Sequence, residues 1–385
     1  MRLTYWLYHY IDRYAGITLC VFLKIIDGII RSVFPRRGTA GAARNILVIK
    51  LAMLGDTILL VPALRALRNK YPGSRITMMC SHVNETIVSD WDFVDDRVVF
   101  NFGEILVKPW KFISTVIKLR RRCYDATIDF ETWPRIIPVI AFLTGARIRA
   151  GFRVPGQMRH YLFTHPVTHV KGRHELLCFS DLVGALGAEV RDTSLELRIE
   201  NGDREKVGRM LNLEGIGEEE DYVIVHPGAG VHGYYRQWFE DRYAEVADHI
   251  IGKHGKKVVL TGTRADGRIV AKVAGCMKNS PVNMAMRTSL KELFALVERA
   301  KFVVCANTGI LHIATAAGTP VIAIHGPTDP GKWGPWGEGN VVVREDMDCS
   351  PCSYLGFEYG CSRRTCLERV TVKEVIKHVD AKLAV

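Results

Sequence analysis

Apolar residues in the first half of the chain form short continuous runs that alternate with segments of helical spacing. The strand-like runs are NILVIKL (45–51), RITMMC (75–80) and YDATIDF (124–130), and the helical segments are 57–70, KPWKFISTVIKLRRR (108–122) and RIIPVIAFL (135–143). Strands that alternate with helices indicate a parallel sheet covered on both faces. The pattern therefore predicts an α/β domain of Rossmann type over residues 45–200.

A second series of the same kind begins near residue 203. Its strand-like runs are YVIVHP, KKVVLTG, KFVVC and PVIAIHG, and helices are predicted before them over 203–212, 239–251, 289–299 and 309–316. A second Rossmann-like domain is expected over 201–345, followed by a Cys-rich loop and a closing helix, Val372–Leu383, in 346–385. Two such domains facing each other would make a cleft, and clefts between domains commonly bind ligands.

Residues 1–44 have a different pattern, because apolar and aromatic residues recur there at helical spacing without strand-like runs. The segment carries seven bases and two acids, Asp12 and Asp27, a local net charge of +5. Such a helix could lie on an anionic membrane surface, with its aromatics in the interface and its bases on lipid phosphates. The alternative is an amphipathic helix docked on the protein's own body. The stretch PRRGTAGAAR (35–44) is predicted to be a flexible linker.

The composition narrows the class of protein. A hydrophobic fraction of 48% and a charged fraction of 24% are typical of a folded globular chain of 385 residues. The net charge of +11 indicates an anionic partner such as a membrane or a phosphorylated substrate. No basic stretch is interleaved with aromatics, so nucleic acid is not expected. The best candidate for a membrane span, Tyr14–Leu23, has ten uncharged residues between Arg13 and Lys24, and a span needs about 20.

Two glycine-containing turns are candidate ligand sites. The turn after the first strand, 53–57, holds Asp56 where a dinucleotide-binding turn holds glycines, and an acid there would repel a phosphate. From residue types alone, Asp56 is an N-cap of the helix 57–70. The motif GAGVHG (228–233) matches G-x-G-x-x-G, but no helix opens within it and the next strand lacks the ribose-binding acid of NAD sites. Gly228 and Gly230 would let a ligand approach the backbone.

Two further features of the second series suit a phosphorylated ligand. Arg236, just beyond the glycine turn, could clamp a diphosphate with its guanidinium, or it could be a solvated surface arginine. Asn307, Thr308 and Gly309 open a helix directly after a strand, and His312 lies one turn further. Free NH groups at a helix start bind anions. The alternative is ordinary N-capping by Asn307 or Thr308, with a packed histidine.

These motifs, in this order, resemble glycosyltransferase family 9, the heptosyltransferases of the lipopolysaccharide inner core and their relatives. The resemblance runs from about residue 45 to 380 through ILVIKLAMLGDTILLVPALRAL, VIVHPGAG, RQWFEDRYAEVADHI, VVLTGT, SLKELFALVERAKFVVCANTGILHIATAAGTPVIAIHGPTDP and KWGPWG. It implies a GT-B fold, with the acceptor domain first and the nucleotide-sugar domain second. It also implies inverting transfer, usually from ADP-heptose, with no cofactor and no catalytic metal.

The resemblance also assigns roles to matched residues. Asp56 corresponds to the family's general base, and Arg236 to a basic residue that meets the donor diphosphate. This role explains why an acid stands in the turn. A first domain that binds the acceptor needs a general base there, and it does not need a turn that binds phosphate.

The donor-binding residues carried over from the family lie in the second domain. Thr308, Gly309 and His312 match the phosphate-facing helix start, and Asp266 matches an acid near the ribose. Heptosyltransferases typically have an aspartate where this chain has Asn307, a position expected to touch the donor sugar. A family relative that uses a different nucleotide sugar is therefore the first alternative.

Four cysteines are clustered near the C-terminus with the spacing C-x2-C-x8-C-x4-C: Cys349, Cys352, Cys361 and Cys366. They could form a structural zinc or other metal site, two disulfides, or remain free thiols. Several of the six cysteines elsewhere in the chain lie in apolar runs, as small hydrophobes do, which favours a reducing compartment.

The sequence thus predicts a cytoplasmic glycosyltransferase bound peripherally to the inner face of the plasma membrane. Its expected partners are a nucleotide sugar and a lipid-linked glycan acceptor, such as a lipopolysaccharide core. Alternatives of other classes are an NAD-dependent two-domain oxidoreductase and an inactive nucleotide-sugar binding protein.

Overall fold

A computed structural model describes residues 2–33, 43–101, 108–230, 233–355, 361 and 363–384. The chain divides into two compact units. The first contains Met1–Val170 and Glu175–Thr193, and the second contains Lys171–His174 and Ser194–Val385. Each unit has its own six-stranded sheet, and all strand pairs in both sheets are parallel. The α/β fold class predicted from the sequence is confirmed. The linker predicted at 35–44 lies outside the described residues except for its last two.

The first unit is a parallel sheet with helices on both faces. Its strands are β1 (Asn45–Ile49), β2 (Arg75–Cys80), β3 (Asp96–Val99), β4 (Ala126–Asp129), β5 (Ile148–Arg153) and β6 (His165–Thr168). Its helices are α1 (Arg2–Val33), α2 (Leu54–Ile58), α3 (Val61–Lys70), α4 (His82–Val88), α5 (Pro109–Arg121), α6 (Ile136–Leu143) and α7 (Glu175–Gly184). The strand order is β3-β2-β1-β4-β5-β6. From β1 the chain adds strands to one side as far as β3, and it then returns to add β4, β5 and β6 on the other side of β1, so the winding order reverses between β1 and β4.

The second unit repeats this topology. Its strands are β7 (Tyr222–His226), β8 (Lys257–Leu260), β9 (Val282–Asn283), β10 (Phe302–Ala306), β11 (Val321–Ile324) and β12 (Val341–Val343). Its helices are α8 (Asn201–Leu213), α9 (Glu240–His254), α10 (Gly267–Cys276), α11 (Leu290–Arg299), α12 (Gly309–Ala316), α13 (Pro330–Trp333), α14 (Thr365–Arg369) and α15 (Val372–Leu383). The order β12-β11-β10-β7-β8-β9 reverses between β7 and β10. In open parallel sheets, ligands bind beyond the carboxyl ends of the strands at such a reversal.

The single helix predicted over 57–70 is wrong. The structure has two helices there, α2 and α3, with Leu59 and Leu60 between them. Pro62 lies in the first turn of α3, where its missing NH is not needed. A proline favours a helix start at this point, whereas hydrophobic periodicity alone does not show the break between α2 and α3.

The helix predicted in the N-terminal segment is confirmed as α1, and it docks on the first unit. Asp12 pairs with Arg135 at 2.7 Å, and Asp27 pairs with Arg149 at 2.8 Å. Between these pairs, Cys20 is buried against the side chains of α6. α6 (IIPVIAFL) has no polar face, so a covering helix removes its apolar surface from water. Among the described helices, none is both long and apolar enough to cross a bilayer.

Five strands have no counterpart in the sequence-based prediction. β3, β6, β9 and β12 are short or alternate in burial, and they lie towards the sheet edges. β5 is an inner strand, but Arg149 and Gly151 interrupt its apolar pattern. The guanidinium of Arg149 is buried at that position because Asp27 of α1 neutralises it. Only a contact distant in sequence makes this arginine compatible with an inner strand.

Candidate active site

Asp56 lies beyond the carboxyl end of β1, at the reversal of the first sheet. It is the third residue of α2, whose N-cap is Met53, so the interpretation of Asp56 as an N-cap is wrong. Met53 has φ 61° and ψ 116°, a conformation that L-residues rarely adopt. Strained backbone of this kind persists only where the surroundings enforce it, and it is frequent at functional sites.

A buried ammonium group holds Asp56. The Nζ atom of Lys50 lies 3.1 Å from Oδ2 of Asp56 and 3.5 Å from Oε2 of Glu131. Glu131 follows β4, and its Oε1 accepts hydrogen bonds from the backbone NH groups of Leu51 (2.7 Å) and Ala52 (2.9 Å). The segments that follow the two strands at the reversal therefore each provide one acid, and both acids pair with a single lysine.

The protonation of this cluster is set by burial and by charge. Burial raises the pKa of Asp56, the Lys50 ammonium partly offsets that, and Glu175 raises it further. Burial alone would lower the pKa of Lys50, but Glu131 and Asp56 outweigh it and raise that pKa. Lys50 therefore stays charged, while Asp56 is a better proton acceptor than an ordinary aspartate.

A second buried ion pair lies beside the cluster of Lys50, Asp56 and Glu131. Arg159 is fully buried and pairs with Asp129 at 2.5 Å, and it also donates to the backbone carbonyl of Glu131. Burial raises the pKa of Asp129 to about 7, although Arg159 opposes the change. These contacts fix the end of β4 and hence the position of Glu131.

Lys50 and Glu131 were not identified from the sequence as site residues. The available signal is that each is a charged residue at the end of an apolar strand, in VIK and in DFE. Buried charges need partners, so such residues are expected to meet.

In the second unit, Gly228 and Gly230 follow β7 and pack against Asp266. A Cβ atom at Gly228 would lie 2.4 Å from Cγ of Asp266, and the NH of Gly230 donates to Oδ1 of Asp266 at 3.2 Å. The other carboxylate oxygen of Asp266 accepts from the backbone NH (2.9 Å) and the hydroxyl (2.5 Å) of Thr263. Asp266 is 4% exposed, and these contacts place its carboxylate against the glycine turn.

Arg236 lies on a single helical turn, Tyr234–Arg236, that follows this glycine turn. Its backbone NH donates to the carbonyl of Gly233 at 2.8 Å. Its Nε atom is buried and has no hydrogen-bond partner among the described residues. Arg236 is half-buried, and water does not reach this Nε donor.

The start of α12 includes two buried polar side-chain atoms that lack a partner among the described residues. Asn307 is buried, and its Nδ2 donates to Oγ1 of Thr328 at 2.8 Å. Thr308 is the N-cap residue, but its side chain does not cap the helix. Within the described residues, the Thr308 hydroxyl and Nδ1 of His312 are buried without a partner. The helix-start NH groups beyond Gly309 are thus not occupied by a side-chain cap, so the interpretation of plain capping is wrong for Thr308.

The histidines around this helix start are neutral. Burial and the neighbouring His174 and His325 lower the pKa of His312 to about 3. Burial also lowers the pKa of His226 and of His325 to about 4. His226 accepts or donates through Nδ1 to the Thr261 hydroxyl at 2.9 Å. The positive potential at this helix start comes from its own N-terminal NH groups.

The structure therefore brings together Asp56 with Lys50 in the first unit. In the second unit it brings Gly228 and Gly230 together with Asp266, and Asn307, Thr308, Gly309 and His312 at one helix start. The four C-terminal cysteines line one pocket of about 160 Å³, and none of the ten cysteines, all of which belong to the described residues, is in a disulfide.

Comparison with known proteins agrees with this geometry. The profile of Glycosyltransferase family 9 (heptosyltransferase) matches residues 113–361, more than half of the chain. Lipopolysaccharide heptosyltransferase 3 of Escherichia coli K12 is 27% identical over 297 residues, which are 75% of this chain and 84% of that protein.

Solved structures with the same fold include two of this class. The glycosyl transferase family 9 protein from Veillonella parvula DSM 2008 superposes with a TM-score of 0.73 at 22% identity, over 91% of this chain and 99% of that one. ADP-heptose lps heptosyltransferase II of E. coli superposes with a TM-score of 0.69 at 21% identity, over 88% of this chain and 98% of that one. The fold is thus the GT-B fold predicted from the sequence.

The match to this family replaces the alternative interpretation of the chain as an NAD-dependent oxidoreductase. The structure has two Rossmann-type sheets, an acid at the reversal of the first and an uncapped helix start at the reversal of the second. The chain belongs to glycosyltransferase family 9, the heptosyltransferases, and it is a sugar-transferring enzyme of lipopolysaccharide biosynthesis.

Proposed function

We propose that this enzyme transfers a heptose from ADP-heptose to a lipopolysaccharide core sugar, with inversion at the transferred carbon. The observation that carries the donor assignment is the start of α12, where a buried hydroxyl and a buried imidazole nitrogen have no partner among the described residues. A diphosphate bound there would accept from the Thr308 hydroxyl and from the helix NH groups. The names of the relatives supply the sugar and the acceptor class.

In this mechanism Asp56 is the general base. An inverting transfer is a displacement in which an acceptor hydroxyl attacks the sugar carbon from the face opposite the leaving group. The hydroxyl proton passes to the Asp56 carboxylate, the new glycosidic bond forms, and the nucleoside diphosphate leaves with the bonding electron pair. Lys50 positions Asp56 and keeps it ionised.

Positive charge is needed where the diphosphate departs. We propose that Arg236 and the N-terminus of α12 supply it, so that the transfer runs without a catalytic metal. Asp266 acts as a positioning residue here. Its contacts with Gly230 and Thr263 hold the glycine turn in place.

Two variants test these roles. Asp56→Asn keeps the shape of the side chain but removes the base, so turnover should fall by roughly 10²- to 10⁴-fold with donor binding retained. Arg236→Ala should lower turnover by about 10²-fold or more and also weaken binding of ADP. Turnover within a few-fold of the parent in Asp56→Asn would place the base elsewhere.

The donor sugar is tested separately, because Asn307 replaces the aspartate typical of heptosyltransferases. Thermal shift should be measured with ADP-heptose and with other ADP- and UDP-sugars. Binding to the native state stabilises by mass action, so the true donor raises the melting temperature at the lowest concentration. A greater response to another sugar would assign the alternative, a relative with a different donor.

We further propose that the first unit binds an anionic membrane from the cytoplasmic side, through α1 and α5. Both acids of α1 point inwards to Arg135 and Arg149, and its exposed side includes Phe22 (58% exposed) and Ile25 (59%). The outward surface is therefore apolar and basic, as interfacial helices are.

Helix α5 carries a second surface of the same kind. Trp110, Ile113 and Ile117 are exposed at helical spacing, and residues 108–122 contain six bases and no acid. α5 and α1 both pack on α6. A lipid surface would accommodate the apolar side chains and attract the bases together.

Vesicle sedimentation tests this surface on the full chain. Phe22→Ser with Ile25→Ser on α1, and Trp110→Ser with Ile113→Ser on α5, should each weaken binding to anionic vesicles. Leu213→Ser is the matched control, since Leu213 is 85% exposed on the second unit. Unchanged binding in both double variants would rule out this membrane surface, and concentration-dependent dimers of the parent would assign the surface to self-association.

A further inference from the structure

We propose that Cys349, Cys352, Cys361 and Cys366 form a tetrathiolate site for a divalent transition metal, zinc or ferrous iron, which orders the segment that carries Arg236. The metal site is independent of the proposed function, whereas its effect on ADP binding rests on that function. None of the four cysteines takes part in the proposed sugar transfer, so the role of the metal is structural.

The first argument is the convergence of the four cysteines. They come from two segments, 349–352 and 361–366, and all four line one pocket together with Tyr235 and Arg364. Cys366 is buried, Cys352 is partly buried, and Cys349 and Cys361 are exposed. Four cysteines around one small pocket, with no carboxylate or histidine in its lining, match the ligand set of tetrahedral thiolate sites.

The second argument concerns the charge of the site. All four sulfur atoms line the same small pocket. Four neighbouring thiolates are unfavourable without a cation, whereas a bound divalent ion displaces one proton from each thiol and stabilises the anions. Arg364 lies in the same lining and adds a compensating positive charge.

In the thiol form the site is open. Among the described residues, no three of these sulfur atoms lie within 4.8 Å of one another. Coordination would therefore draw the exposed Cys349 and Cys361 towards Cys352 and Cys366. One ion bound by cysteines of both segments would hold the two together, which is how structural metal sites stabilise small elements.

The third argument is the connection to Arg236. Arg364, between Cys361 and Cys366, donates from Nη1 to the backbone carbonyl of Gln237 at 2.9 Å, and its guanidinium lies 4.3 Å from the ring centre of Tyr234. The turn Tyr234–Arg236 is therefore bound on one side by a residue of the cysteine segment. Fixing Arg364 fixes the backbone on either side of Arg236.

The fourth argument is a pair of hydrogen bonds that connect the cysteine segment to the residues beside Asn307, at the proposed donor site. The backbone NH of Cys352 donates to the carbonyl of Pro327 at 3.0 Å, and the Ser350 hydroxyl donates to the carbonyl of Gly326 at 2.7 Å. The next residue, Thr328, is the partner of Asn307. The metal site would thus support both halves of the donor site through short backbone contacts.

The experiment measures metal first. The full chain, purified in reductant and without chelator, should contain about one zinc or iron per chain by elemental analysis, as expected for one tetrathiolate site. Cys349→Ser with Cys352→Ser should lose this metal, and Cys123→Ser with Cys276→Ser, two exposed cysteines outside the cluster, should keep it. A parent protein without stoichiometric metal, a double variant that retains it, or disulfides found by mass spectrometry would each overturn the site.

The effect on the donor site is measured on the same protein, so that a variant that fails to fold does not decide the matter. Removal of the metal from the parent by a chelator should increase hydrogen exchange at Tyr234–Gln237 and weaken ADP binding about 10-fold, and added Zn²⁺ should reverse both. Unchanged exchange on metal removal would overturn the ordering role. A parent that holds the metal but never binds ADP would contradict the proposed function and leave the metal site standing.

Discussion

Lys50 shows how one buried residue can set the chemistry of a site. Its ammonium group is the one charged group of opposite sign within hydrogen-bond distance of Asp56 among the described residues, and it contacts Glu131 as well. A lysine with two acids keeps its proton, whereas the acids compete for the single positive charge. The pKa of Asp56 is therefore raised by burial but held down by Lys50.

Lys50→Met should shift the pH dependence of turnover. Asp56 works deprotonated, so activity falls as the pH drops through its pKa. Without Lys50 that pKa rises further, the acid limb of kcat/KM moves to higher pH, and turnover at neutral pH decreases. The profile is measured for the parent, for Lys50→Met and for the control Lys70→Met, which lies exposed at the end of α3. A profile of unchanged position in Lys50→Met would show that Lys50 does not tune the base.

At the scale of elements, the glycine turn after β7 depends on the start of the next crossover. Asp266 accepts from Gly230 and, in the capping box before α10, from Thr263. Gly228 leaves the space that its carboxylate occupies. One side chain thus joins the glycine turn after β7 to the helix that follows β8.

Gly228→Ala should separate these elements. The new methyl would lie 2.4 Å from Cγ of Asp266, and overpacking of this kind costs about 1–3 kcal/mol of unfolding free energy. ADP binding should weaken with it, because the turn moves. Gly208→Ala is the control. Gly208 lies inside α8 with open space around its Cβ position, so alanine there should stabilise by about 0.5–1 kcal/mol. Equal effects of the two substitutions on stability would contradict the role of Gly228.

At the scale of the whole molecule, the two units differ in their buried histidines. The second unit holds His226, His312 and His325, and burial lowers the pKa of each to about 3 or 4. In the unfolded chain the same histidines titrate near pH 6.5. Their folded pKa values are depressed, so their contribution to stability is complete above pH 6.5 and is lost as the pH falls towards 4.

The second unit should therefore lose stability on acidification between pH 6.5 and 4. Near pH 5 unfolding takes up about three more protons at these histidines, which corresponds to up to about 4 kcal/mol per pH unit. Calorimetry across this range should show the steepest change for the transition assigned to the second unit by hydrogen exchange. His325→Gln should reduce the pH dependence by about one proton, and exposed His82→Gln in the first unit should not. A pH-independent second unit would contradict the neutral state of these histidines.

The sequence by itself determined the elements whose signal is local. Nearly continuous apolar strands such as FVVCA, the helix α15 with its capping Thr371, and the helix start at Gly309 are found where the pattern places them. Short edge strands and β5 were missed, since their burial depends on neighbours and not on their own periodicity. Asp56 could be singled out because an acid in a phosphate-type turn is conspicuous in one dimension.

Only the tertiary structure decided which distant residues meet. Glu131 reaches Leu51 across 80 positions of sequence, and through that contact it shares Lys50 with Asp56. The acids of α1 turn inwards because Arg135 and Arg149, more than a hundred residues later, are buried opposite them. Periodicity shows which face of an element is apolar, but it does not identify the charged residue on the element that packs against that face. Buried charges are stable only as pairs, so the pairing, and with it the site, is fixed by the sheet order.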